Sequence, residues 1–141
     1  MLFRSDADLR AQFDLMVGIR DRFTEVADTV YRIREVRDTL EGRRAELPEH
    51  SRAEVDRILE QLEQIEGTLT IWMGSEAHPM MWRPPGLTEK LSSLSDAVGS
   101  ADAKPTESML AVFEDLSSRF EDQQKHLNRI ITEEVEPLLS R

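Results

Sequence analysis

The stretch DADLRAQFDLMVGIRDRFTEVADTVYRIREVRDTLEGRR, residues 6–44, decides the fold. Apolar side chains recur within it at Met16, Ile19, Phe23, Val26, Val30, Ile33 and Leu40, in steps of three and four, with Arg37 as the one gap. A strand would alternate every second residue; this spacing instead keeps a stripe on one side of an α-helix. Leu9 and Phe13 extend the stripe toward the N-terminus, Ser5 can cap the first turn, and Gly42 followed by Pro48 is expected to stop the helix. Such a helix rises about 55 Å. Arg37 must either snorkel outward along its own stem or pair with a buried carboxylate.

The same period continues downstream. A second helix is expected over about 51–72, opened by a capping box at Ser51 and Glu54 and carrying Val55, Ile58, Leu62, Ile65, Leu69 and Trp72. Residues 73–86 form a loop, because Pro79, Pro84 and Pro85 are denser than helix geometry accepts. A third helix follows over about 87–101 on Leu87, Leu91, Leu94, Val98 and Ala101. A fourth spans about 105–135 through Met109, Phe113, Leu116, Phe120, Leu127 and Ile130. Pro105 is preorganised for its first turn, with Asp102 or Lys104 at the cap, and Pro137 ends it. The expected fold is all-α, a single domain over residues 1–141, built as an antiparallel up-down four-helix bundle with long first and last helices. In that arrangement the N-terminal half of the first helix pairs with the C-terminal half of the last, and both chain ends share one pole.

Composition narrows the function. With 28 acidic against 18 basic residues the chain carries a net charge of −10, so a nucleic-acid backbone would be repelled from most faces. No cysteine is present, which removes thiolate chemistry and disulfides but leaves the compartment open. Residues 1–20 contain acidic side chains and no continuous apolar run, so neither an export signal nor a membrane span is expected there. His50, His78 and His126 are the only imidazoles, and none stands in metal-ligand spacing with another. A di-iron bundle needs a Glu-x-x-His pair on each of two helices, and Glu63-x-x-Glu66 lacks the histidine. No phosphate loop or nucleophile triad can be assembled, so neither a cofactor nor a small-molecule ligand is expected and the chain reads as non-catalytic.

Two surface features invite a partner. Arg32, Arg34, Arg37, Arg43 and Arg44 gather positive charge at the end of the first helix, where the helix dipole favours it. Trp72, Met73, Met80, Met81 and Trp82 crowd large apolar groups around the proline loop, either as a plug for one end of the bundle or as a docking surface.

Three strings carry a resemblance: Pro84-Pro85-Gly86-Leu87-Thr88-Glu89-Lys90-Leu91, Ser100-Ala101-Asp102-Ala103-Lys104-Pro105-Thr106, and Val112-Phe113-Glu114-Asp115-Leu116. Together they resemble the C-terminal helical region of bacterial sortilin-like proteins, the BNR-repeat β-propellers often labelled glycosyl hydrolases. That resemblance implies an accessory module appended to a propeller, extracytoplasmic, used for intramolecular packing or protein docking. In that family the region lies outside any sialidase-like site, so no hydrolase residue is implied here. The turn at Asp102, Pro105 and Thr106 is then structural, setting the angle between the third and fourth helices. The alternative is a free-standing, coiled-coil-like scaffold that self-associates through its first and last helices.

Overall fold

The structure, a computed structural model, describes residues 5–71 and 85–140. They form four principal helices and no strand: α1 (Asp6–Arg44), α2 (Glu49–Leu69), α3 (Leu87–Ser100) and α4 (Glu107–Ile130). A single π-helical turn, Ile131–Val135, joins α4 to the short α5 (Glu136–Leu139). The all-α class therefore holds, and the four helices close around one apolar core.

Their order in space differs from an up-down-up-down bundle. Gln12 of α1 reaches the last carbonyls of α3, Val98 and Ala101, at 2.7 and 3.2 Å. Further along, Arg34 meets Glu66 near the end of α2, and Arg44 meets Asp56 near its start. Helix α1 is therefore antiparallel to α2 and α3 in succession, and those two lie end to end as one interrupted rod. Helix α4 runs the same way as α1: Phe113 abuts Gly18, Arg22 bonds Ser117 and Glu121, and Arg32 bonds Asn128. The lengths explain this closure. At 1.5 Å per residue α1 is about 58 Å long, α2 plus α3 about 52 Å and α4 through α5 about 50 Å, so three rods of similar length can pack along one another's whole length. The expected pairing of the N-terminal half of α1 with the C-terminal half of α4 does not occur, and the described ends, near Ser5 and Ser140, sit at opposite poles.

Several boundaries move for local reasons. Ser5 caps α1 as expected, accepting the Asp8 N–H at 3.0 Å. Gly42 stays inside the helix, which runs on to Arg44. The Ser51 capping box does not form. Helix α2 begins two residues earlier behind Pro48, leaving Ser51 buried with its hydroxyl unpartnered. The exposed carbonyls of the α1–α2 turn are served instead by Arg52, whose guanidinium donates to Ala45 and Leu47, each at 3.0 Å. Helix α2 stops at Leu69 and not at residue 72, because Thr70 turns extended. Neither Asp102 nor Lys104 caps α4. Thr106 does, accepting the Met109 N–H at 3.1 Å, and Pro105 lies buried before the cap and not in the first turn.

Pro137 does not end the last rod. Proline cannot donate to the carbonyl four residues back and its ring crowds that carbonyl. The π turn absorbs the misfit, with the Glu136 N–H reaching five residues back to Ile131, and the chain continues to Leu139. Ile131, Val135 and Leu138 are thereby kept buried.

The core takes Val26, Val30, Ile33 and Leu40 from α1, each at or below 1% exposure, with Val55, Ile58, Leu62, Ile65 and Leu69 of α2, Leu87, Leu91, Leu94 and Val98 of α3, and Leu116, Phe120, Leu127 and Ile130 of α4; Ala101 is only half-buried and Trp72 lies outside the described residues. Leu9, Phe13 and Phe23, expected in this stripe, are exposed; Gln12 and Leu15 occupy the inward positions instead. Arg37 takes the second of its two options. It approaches the nearly buried Glu66 carboxylate at 3.8 Å, and Arg34 reaches the same oxygen at 3.4 Å.

The tightest joint is Gly86 against the end of α2. A Cβ there would lie 2.6 Å from the Thr70 amide nitrogen and 2.8 Å from the Leu69 carbonyl carbon, both backbone atoms that cannot swing aside. Gly86→Ala is expected to cost about 2–3 kcal/mol, read as a lower urea midpoint at constant slope.

Candidate functional site

The joint between α2 and α3 concentrates the polar chemistry of the described residues. Helix α2 ends at Leu69 with Thr70 as its C-cap, and α3 starts at Leu87 behind Gly86. Glu89, in the first turn of α3, turns its carboxylate back across the break. Its Oε1 accepts the backbone N–H of Gly86 at 2.8 Å and that of Ile71 at 2.9 Å. Its Oε2 accepts the Thr70 hydroxyl at 3.1 Å and the Thr88 hydroxyl, and the two threonine hydroxyls lie 2.7 Å apart. Thr70 and Thr88 are both buried. Partial burial pushes the Glu89 carboxyl upward in pKa. The hydrogen bonds from Thr88, Ile71, Gly86 and Thr70 outweigh that and hold it below its ordinary value.

Shallow grooves open on both sides of this joint. One, of about 650 Å³, is lined by Phe23, Ala27 and Tyr31 of α1 facing Thr88, Glu89 and Ser92 of α3. The other, of about 630 Å³, runs between Ile71, Pro85 and Leu94 on one wall and Val112 and Leu116 on α4, with the Arg119–Asp115 ion pair at its edge.

The first groove continues along α1 as an exposed apolar stripe. Phe13 is 67% exposed, Tyr31 59%, Leu9 45% and Phe23 38%. Together with Met16, Arg20 and Ala27 they occupy positions 9, 13, 16, 20, 23, 27 and 31, which repeats the three-four stepping of the core stripe on a neighbouring face. Helix α1 thus carries two seams. The inner one is covered by the other two rods. The outer one is left open, save where Met16 leans over Gly99 of α3.

Several of the remaining charges tie the bundle together. Arg22 bonds Glu25 and Glu121 while its guanidinium sits 5.7 Å above the Phe120 ring, tying α1 to α4. Of the arginines at the end of α1, Arg32 bonds Asn128, Arg34 and Arg37 meet Glu66, Arg43 meets Glu46, and Arg44 pairs with Asp56. Among the described residues no three His, Asp or Glu side chains converge on a point that a metal ion could occupy, and no helix is long and apolar enough to cross a membrane.

The expected docking cluster, Trp72, Met73, Met80, Met81 and Trp82, lies outside the described residues, as do 73–84 of the expected loop. Of the expected structural turn, Thr106 caps α4, Pro105 is buried and Asp102 is exposed. Sequence reasoning passed over Glu89, although a glutamate three residues after the glycine that precedes a helix is the local signal for it. It also merged the two seams of α1 into one. No family model matches this chain, and neither a curated protein nor a solved structure matches it.

Because Glu89 binds its proton less tightly when folded, its stabilising contribution is complete above the ordinary glutamate value of 4.5 and is lost as the pH falls through the lower folded value. Glu89→Gln is expected to cost about 1 kcal/mol at pH 7, a charge-assisted bond reduced by partial exposure. It should also remove part of the acid-induced loss of stability, read as a flatter plot of urea midpoint against pH between 5 and 3.

Proposed function

We propose that this chain is a non-catalytic helical docking module that presents the outer seam of α1, with the groove it shares with α3, to a protein partner. One observation carries the reading. The largest exposed apolar side chains of α1 are not scattered but fall on one helical face in coiled-coil stepping, the pattern with which a helix recognises another helix. Aromatic groups that supply this much contact area are the usual anchors of protein interfaces. The net charge of −10 supports a protein over a nucleic acid as the partner. The propeller that the sequence resemblance implies would be one such partner. Leu9 and Phe13, on the first turns of α1, would be the residues nearest a domain that precedes it.

Docking and packing roles differ in what substitution does to the isolated chain. Phe120 is 1% exposed, and Phe120→Ala is expected to cost about 3–5 kcal/mol. The double variant Phe13→Ser, Tyr31→Ser should keep its Tm within about 2 °C of the parent while losing most of the native-state binding of an apolar dye. A drop in Tm of more than about 8 °C, comparable to a core truncation, would show that these side chains serve the fold and would end the docking reading.

A further inference from the structure

We infer that the partner of the outer seam is a second copy of this chain, packed α1 against α1 in antiparallel fashion about a two-fold axis. The inference rests on the docking reading above and adds the occupant. An isologous contact must be self-complementary, each residue meeting its counterpart's partner twice. The outer seam meets that condition in one register. Setting Leu9 opposite Ala27 of the second copy places Phe13 opposite Phe23 and Met16 opposite Arg20. The branched Leu9 then sits over the one small residue of the seam, the two phenyl rings meet, and the Arg20 stem lies along the methionine while its guanidinium stays with Asp21 at 3.3 Å.

Charge is arranged to permit this. The chain as a whole carries −10, which opposes self-association. Between Leu9 and Tyr31 the seam and its open flank hold Arg10 and Arg20 against Asp14, Asp21 and Asp28, close to balance. In the same register Arg10 lies beside Asp28 of the second copy, and symmetry makes that pairing occur twice. Small residues on the adjoining face of α3, Ser92 and Ser93, leave room for an approaching helix. In this register Leu9, Phe13 and Phe23 offer roughly 300 Å² of apolar surface per copy, under half of one side of a standard interface. The dimer is therefore expected to be concentration dependent within the micromolar range.

Sedimentation of the full chain between about 1 µM and 500 µM should show the mass doubling, and added salt should tighten the association by screening the net repulsion. Phe13→Glu should weaken it by about 30-fold or more with an unchanged Tm. The native sequence has no cysteine, so register can be read directly. The double variant Leu9→Cys, Ala27→Cys should form a covalent dimer under mild oxidation. Its two thiols cannot join within one chain, being about 27 Å apart along the helix. Ala27→Cys alone should link far more slowly. A monomer at every concentration, or a dimer indifferent to Phe13→Glu, or equal linking by the single and double variants, would overturn the inference. A monomer whose Phe13→Ser, Tyr31→Ser variant keeps its Tm would leave the docking reading standing with another occupant. Loss of fold in that variant would remove both.

Discussion

A rod made of two helices laid end to end has a weak point that a continuous helix lacks: the last carbonyls of one piece and the first N–H groups of the next are left without partners. In this chain the carboxylate of Glu89 binds across that point, holding amides from both sides and two hydroxyls besides. The rest of the bundle depends on it. Helix α1 is long enough to need a partner along its whole length, and neither α2 nor α3 alone supplies one. Held in line by Glu89, and packed by the missing Cβ of Gly86, the two act as a single counterpart, and the core runs unbroken from Leu91 and Val98 to Val55 and Leu62.

The helices themselves were legible because each obeys one period over many residues, and the α1 boundaries follow from Ser5 and from Pro48 shortly beyond Arg44. The assignment of faces was less so. Steps of three and four fit any pair of adjacent faces, so Met16, Ile19, Phe23 and Val26 read as one zigzag while in space Ile19 and Val26 point inward and Phe23 does not. Nothing in residues 6–44 alone separates the two, since the choice is made by what packs against the helix. The same holds for topology. Whether the chain reverses between Leu69 and Leu87 is not a local property, and a proline-rich connection is compatible with a reversal and with a continuation.

Capping roles show how near alternatives compete. Ser51 has the right chemistry for a cap, yet Pro48 fixes the backbone first and the helix starts ahead of the serine. The unserved carbonyls of the turn then fall to Arg52, whose forked guanidinium reaches two at once. At the other end of the chain Pro137, which the sequence offers as a terminator, costs only one widened turn because Ile131, Val135 and Leu138 gain more by staying in contact with the core.

The amides of Ile71 and Gly86 bond to the same oxygen, so the two described ends of the connection between α2 and α3 meet at a single spot. Because the entropy of closing a loop changes only slowly with its length, extensions or deletions between those two amides alter the closure cost only slightly. The register around Thr70 and Thr88 thus constrains where the two ends of that connection meet and not how many residues lie between them.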